Sequence, residues 1–425
     1  MQSGAKYDSV MLHMQERIQH TAGQGFSGLG IAPAILDILE KNNFITPTPI
    51  QAQSIPIAIQ GKDVVGIAQT GTGKTLAFGI PMLQRLMQIQ KRGLVVAPTR
   101  ELALQIDEAL RAIGARLGLR TVVLIGGLSL GPQRQALSRN PHIIIATPGR
   151  LIDHLNQKNI RLHDVGIAVL DEADRMLDMG FLPQIQRILQ ELPKERQFML
   201  FSATMPPEIM RIASSYMKLP VRVEMAPAGT TVDQVSQELF IVPKEQKALL
   251  LAKLLETYQS SALVFTRTKY GASKIVRHIR SLGIRAAEIH SNRSLGQRRE
   301  ALEGFKRGAY QVLVATDIAS RGIDVTGIEL VLNYDLPGSS EDYVHRIGRT
   351  ARAGAKGHAI TFAMPNEQKE VRSIERLIRK NLPVSQLPSE LPRVTLSAFQ
   401  APVFREQRRE QRPRRFNQQF RQKRY

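Results

Sequence analysis

Two short segments of this chain set phosphate and metal chemistry at the ends of apolar runs. The first is Ala68-Gln-Thr70-Gly71-Thr72-Gly73-Lys74-Thr75. It follows the apolar run Asp63–Ile67 and precedes the apolar helical stretch Leu76–Leu86. Glycines at such a turn let backbone N–H groups close around phosphate oxygens, and the start of the helix adds a favourable dipole. Lys74 would reach the β- and γ-phosphates, and the Thr75 hydroxyl could ligate Mg²⁺. Ala68 stands where this pattern usually opens on glycine.

The second segment is Val169-Leu170-Asp171-Glu172-Ala173-Asp174. Carboxylates at the C-terminal end of a parallel strand face the crevice where ligands bind in open α/β sheets. Asp171 can hold a Mg²⁺ shell, directly or through water. Glu172 is placed to orient and deprotonate an attacking water. Taken alone, the first segment could be an ordinary glycine-rich turn and the second a helix N-cap. In one chain, in this order, they point to phosphoryl-transfer chemistry.

These segments need a sheet to hold them. Short β-branched runs alternate with helical stretches in two series. The first series is Asp63–Ile67, Leu94–Ala97, Thr121–Ile125, His142–Ala146, Ile167–Leu170 and Phe198–Phe201. The second is Leu239–Val242, Ala262–Thr266, Ala286–Ile289, Gln311–Ala315, Leu330–Tyr334 and His358–Ala363. Near-continuous apolar strands between helices mark a parallel sheet covered on both faces. The expected class is α/β, with two tandem parallel-sheet domains. An N-terminal extension is expected over 1–20, domain 1 over 21–225, a small turn-prone linker over 226–233, domain 2 over 234–383, and a basic tail over 384–425.

The net charge is +21, which favours a polyanionic partner. Residues 401–425 hold nine Arg or Lys against two Glu, so the tail carries a third of that excess, and the body is basic too. The tail also carries Phe404, Phe416, Phe420 and Tyr425. Such a composition builds no core and reads as disordered. There are no cysteines, which excludes disulfides and thiolate metal sites and makes a cytoplasmic location the default. No run approaches the roughly 18 apolar residues of a membrane helix, and neither a membrane span nor a secretory signal is expected.

With these residues in hand, the sequence resembles the DEAD-box family of superfamily 2 helicases over about residues 26–380, and the tail and compact core look most like the bacterial RhlE-type branch. The resemblance implies two RecA-like domains and an ATP-dependent RNA helicase. Phe26 and the segment Phe44-Ile-Thr-Pro-Thr-Pro-Ile-Gln51 are similar to the adenine-reading Q motif. It implies Gln51 on the adenine edge and Phe26 packed on its face, and a glutamine amide suits that donor–acceptor edge. Domain-1 RNA-backbone motifs are implied at Pro98-Thr99-Arg100, Gly126-Gly127 and Thr147-Pro148-Gly149-Arg150. Ser202-Ala-Thr204, with Asp174 and His345, resembles the coupling machinery. In domain 2 the resemblance implies RNA contacts at Arg267, Arg298 and Thr316, a ribose contact at Asp324, and arginine fingers at Arg349 and Arg352. Leu295 departs from the family's glutamine, with Gln297 the candidate to replace it.

Domain 2 has no second Gly-Lys-Thr loop, so arginines supplied across the cleft to the γ-phosphate are the economical reading. The RNA-contact residues address phosphate and sugar, so sequence-independent binding and local unwinding of short duplexes are expected. The tail reads as an RNA tether, with a solvated solubility tail as its plain alternative. A non-hydrolysing ATP-gated RNA clamp is the runner-up function, and a DNA helicase the third. A monomer is expected, with tail-mediated association possible. Ribonucleoprotein, ribosome-assembly or RNA-decay proteins are the expected partners, and ATP and Mg²⁺ the cofactors.

Overall fold

All twelve apolar runs are strands in the computed structural model, which describes residues 25–69, 71–225, 235–317, 328–350 and 357–388. Thr70, the linker 226–233, Asp324, Arg352, the extension 1–20 and residues 389–425 of the tail lie outside the described residues.

The first sheet contains β1 (Val64–Ile67), β2 (Arg92–Val96), β3 (Thr121–Leu124), β4 (Ile143–Ala146), β5 (Val165–Leu170), β6 (Gln197–Ser202) and β7 (Val221–Glu224). Their order is β3-β4-β2-β5-β6-β1-β7, and every pair is parallel. Successive residues point to opposite faces of a strand. Val95, Ile143, Ile145, Ile167 and Val169 accordingly build one core layer. Leu94, Val96, Ile144, Ala168 and Leu170 build the other. Both faces are apolar because helices cover both.

The second sheet contains β8 (Val235–Ile241), β9 (Ala262–Phe265), β10 (Ala286–Ile289), β11 (Val312–Ala315), β12 (Leu330–Asn333) and β13 (Gly357–Ala363). Its order is β10-β11-β9-β12-β13-β8, again parallel throughout. The outer side of β8 is closed by the chain itself. The Leu239 N–H donates to the Pro383 carbonyl at 2.9 Å, and the Ser385 N–H donates to the Leu239 carbonyl at 2.8 Å. Among the described residues no helix is long and apolar enough to cross a membrane.

The strand order assigns the work. β5, β6 and β1 are neighbours, and their C-terminal ends lead into Asp171, Ser202 and the glycine-rich loop. β2, β4 and β3 are neighbours too, and lead into Pro98–Arg100, Thr147–Arg150 and Gly126–Gly127. One sheet edge therefore carries two adjoining sites.

Candidate functional site

At the glycine-rich loop the helix Lys74–Leu86 starts directly from Gly73, whose φ is 92°. That left-handed backbone favours glycine. A Cβ there would also overlap the Gln51 amide. The Gln51 side chain instead donates to the Gly73 carbonyl at 3.0 Å and accepts from the Thr48 N–H at 2.9 Å. An amide has two donor hydrogens and two acceptor lone pairs, so one of each stays available to a base edge. Phe26 lies in the core at 5% exposure, while Phe44 is 39% exposed, leaving Phe44 as the open aromatic of this motif. Lys74 is buried and donates to the Ala68 carbonyl at 2.9 Å, spanning the loop. The Thr72 hydroxyl donates to the Gln69 carbonyl at 2.7 Å.

Asp171 and Glu172 follow β5 and are both buried. Burial pushes the Asp171 carboxyl up to about 7, the Lys74 ammonium pulls against it, and the Glu172 carboxylate adds to the push. The Glu172 N–H donates to Asp171 Oδ1 at 2.9 Å. Glu172 has a φ of 52°, a left-handed conformation that is strained for a residue with a Cβ. Its carboxylate is gripped by Arg175, which donates to Oε2 at 2.6 Å in a buried pair.

Asp174 faces away from this pair and into the Ser202–Thr204 segment. Its Oδ2 accepts from the Ala203 N–H at 3.0 Å, the Thr204 N–H at 2.8 Å and the Thr204 hydroxyl at 3.0 Å. Its own N–H donates to Ser202 Oγ at 3.1 Å. Three of the expected coupling residues are thus one hydrogen-bonded unit. The fourth, His345, reaches the same place from the second sheet's helix Ser340–Ile347. Burial, then the Arg175 guanidinium, push its imidazole down to about 4, against the pull of Asp174. Arg349 is buried and shares a cleft with Arg175, Asp317, His345 and Arg346.

The domain-1 motifs on the other half of the edge also meet. Arg100 lies against Gly127, whose φ is 75° and whose Cβ would overlap the guanidinium. Arg150 donates to the Leu128 carbonyl at 2.9 Å. Thr99 caps the helix Arg100–Gly114 by accepting from the Leu102 N–H at 3.2 Å, and Thr147 starts the helix Pro148–Asn156. Burial first, and the nearby Arg298 guanidinium second, lower the Arg100 pKa. Like charges converging at a surface suit a polyanion.

Arg298 comes from the second sheet's half and pairs with Glu101 at 2.8 Å. Beside it Leu295 packs against the first sheet's core. Gln297, two residues on, is engaged locally. Its side chain accepts from the Ser294 N–H at 3.0 Å and closes a capping box on its own helix.

Arg267 and Thr316 follow β9 and β11, adjacent strands. The Arg267 N–H donates to Asp335 at 3.1 Å. Burial pushes Asp335 up, but the Arg267 N–H, the Lys247 ammonium and the Thr266 hydroxyl outweigh it and hold the carboxyl below its ordinary range. The residue that sequence reading passed over is Arg346. It is 2% exposed, donates to both Asp317 oxygens at 2.6 and 2.8 Å, reaches Asn333 at 3.0 Å, and lies 5.0 Å from the Phe265 ring centroid. It ties the helix Ser340–Ile347 to the ends of β9, β11 and β12. Nothing in its spacing distinguishes it from a surface arginine.

The DEAD/DEAH box helicase family matches residues 48–212, and the helicase conserved C-terminal domain matches residues 246–354. The DEAD-box ATP-dependent RNA helicase CshA of Bacillus cereus is 42% identical over 86% of this chain and 70% of its own length. The chain belongs to the DEAD-box family. This DEAD-box protein is also 42% identical to the ATP-dependent rRNA helicase RRP3 of Yarrowia lipolytica, over 91% of this chain and 81% of that one. Dbp5 of S. cerevisiae bound to RNA and ADP BeF3 superposes with a TM-score of 0.75 at 29% identity, covering 86% of this chain and 96% of that one. The helicase Mss116 bound to ssRNA and UDP-BeF gives 0.78 at 28% identity, covering 86% and 80%. The two sheets are therefore RecA-like domains, and the protein is an ATP-dependent RNA helicase and ATP hydrolase.

Proposed function

We propose that ATP bound at the first domain closes the two domains on RNA, that this closure unwinds short duplexes locally without reading sequence, and that RNA-stimulated hydrolysis is coupled to it. The observation that carries this reading is the hydrogen-bonded unit of Asp174, Ser202 and Thr204, contiguous with Glu172 on one side and His345 on the other.

In this reading the glycine-rich loop, Gly71 to Thr75, wraps the phosphates. Gln51 reads adenine, Phe44 and Phe26 shape its pocket, and Asp324 meets the ribose. Glu172 orients and deprotonates the attacking water. Arg349 and Arg352 stabilise charge on the transferring phosphoryl group. Among the described residues no three His, Cys, Asp or Glu converge as a metal cage. That suits Mg²⁺, which binds through one carboxylate, phosphates and water rather than a protein cage. Asp171 and Thr75 would hold it, and a dication beside the Asp171 carboxyl would stabilise its ionised form. When bound, Mg²⁺ would supply neutralisation of the phosphate charge that develops during transfer.

Arg100, Gly127, Thr147–Arg150, Arg267 and Thr316 contact the RNA backbone, and Arg298 joins their two halves. In this reading the two domains span 21–225 and 234–383, and Val384 and Ser385 just beyond them still pair with Leu239 of β8. The basic tail tethers RNA, the protein acts as a cytoplasmic monomer, and its lineage is the RhlE-type branch. Ribonucleoprotein, ribosome-assembly and RNA-decay proteins are its candidate partners, and the likeness to an rRNA helicase supports the ribosomal setting.

The test is Glu172→Gln. ATP and RNA binding should persist, while turnover falls by roughly 10²- to 10⁴-fold, the usual contribution of a general base. Hydrolysis at the wild-type rate would remove Glu172 from this role.

A further inference from the structure

Behind the Gly126–Gly127 loop lies a chain of two side-chain amides and one imidazole, buried at Gln133 and His154 and half-buried at Asn159. Gln133 is 7% exposed and His154 is fully buried. Gln133 Oε1 accepts from the Ile125 N–H at 3.2 Å, and Gln133 Nε2 donates to the Ile125 carbonyl at 3.2 Å and to the Ser129 carbonyl at 3.1 Å. Ile125 is the last residue before the two glycines, and it sits beyond the end of β3. One side chain thus takes both backbone groups where the strand ladder stops, and Ser129 closes the far side of the same loop.

His154 approaches from the helix Pro148–Asn156, which carries Arg150. Its Nε2 lies 3.5 Å from Gln133 Oε1, and its Nδ1 lies 3.2 Å from Asn159 Nδ2. An amide nitrogen only donates, so Nδ1 is the acceptor, and the neutral ring carries its proton on Nε2, aimed at Gln133. Burial, then the Arg150 guanidinium, hold the imidazole below its ordinary range, which keeps it in that neutral state.

We infer that Gln133 and His154 are positioning residues for RNA: they lock the Gly126–Gly127 loop to the helix of Arg150, so that both present one preformed backbone-binding surface. The inference rests on the RNA reading of those motifs. A loop already held in its bound shape loses less freedom on binding. The pair touches neither the glycine-rich loop nor the carboxylates, so its effect belongs to RNA affinity and not to phosphoryl transfer.

The experiment measures RNA-stimulated ATPase of the full chain against oligouridylate, with anisotropy of a labelled oligouridylate as a second readout. Gln133→Leu should raise the RNA concentration for half-maximal activity by about tenfold, with kcat at saturating RNA within about twofold and KM for ATP unchanged, the signature of weaker uniform binding. Gln133→Glu should weaken binding as much, because a carboxylate cannot donate to the Ile125 and Ser129 carbonyls. His154→Leu repeats the test should Gln133→Leu fail to fold, and His154→Gln, which keeps a donor, should restore affinity. Unchanged RNA affinity in Gln133→Leu or His154→Leu, beside weakened affinity in Arg100→Ala, overturns the inference. So does a His154→Gln variant as weak as His154→Leu. Unchanged affinity in Arg100→Ala and Arg150→Ala overturns the RNA reading beneath it.

Discussion

The guanidinium of Arg298 lies 2.8 Å from the carboxylate of Glu101, joining the helix that follows β10 to the helix that follows β2. Both side chains are about nine-tenths buried. This ion pair links the two sheets' halves and sits beside Arg100, an RNA-contact candidate. Removing one partner leaves the other charge desolvated, at a cost of about 3 kcal/mol. Arg298→Ala should therefore shift the ATP- and RNA-driven closure equilibrium towards the open form by roughly a hundredfold. Fluorescence transfer between dyes on the two domains reads this directly. The exchange of the pair, Glu101→Arg with Arg298→Glu, should recover part of the loss, and a double-mutant cycle with no coupling would contradict the assignment.

Asp174→Asn replaces a carboxylate that accepts three hydrogen bonds from Ala203 and Thr204. An amide there can accept on one side only and turns donor hydrogens towards other donors. The expected outcome is uncoupling. Unwinding of a short duplex should fall at least tenfold more than RNA-stimulated ATPase, since Glu172 keeps its own partner Arg175. Equal loss of both activities would place Asp174 in the hydrolytic step instead.

His345 supplies a pH dependence. Its folded pKa is pushed down to about 4, from an ordinary 6.5. The released or unfolded form therefore takes up its proton first as pH falls. The stability this group contributes is fully present above about pH 6.5 and is lost progressively between 6.5 and 4. Wild-type thermal stability should fall more steeply over that window than that of His345→Gln. Parallel melting-temperature profiles for the two proteins would rule out this titration.

Deletion of 393–425 removes all of the tail's basic residues. RNA affinity should fall. The slope of log affinity against log salt should become shallower by about 0.7 for each single-strand phosphate that the tail no longer neutralises. ATPase at saturating RNA should be largely retained. An unchanged affinity and slope at physiological salt would leave the tail as a solubility element.

Contiguous chemistry was easy to read in the sequence. Lys74-Thr75, Asp171-Glu172 and the twelve apolar strands carry their signal within a few residues. The missed strand, β7, reads Val221-Arg-Val-Glu224 and buries only Val223, because it is an edge strand with one side open. Arg346, Gln133 and the Glu101–Arg298 pair were illegible for a different reason. Each is a polar side chain that composition assigns to the surface, and its burial depends on partners elsewhere along the chain. Gln297 read as a stand-in for the family's glutamine, and in the fold its side-chain oxygen caps its own helix, a local bond that spacing alone does not announce.

The place of β1 in its sheet has a consequence for synthesis. β1 lies between β6 and β7, and pairs with both. The strand that carries the glycine-rich loop leaves the ribosome early, yet its two neighbours are complete only once residue 224 has been made. At roughly 5–20 residues per second, that is a wait of about 10–30 seconds. For most of that time the nascent chain holds an apolar strand without partners, and a product truncated before β7 cannot build the loop's full supporting ladder.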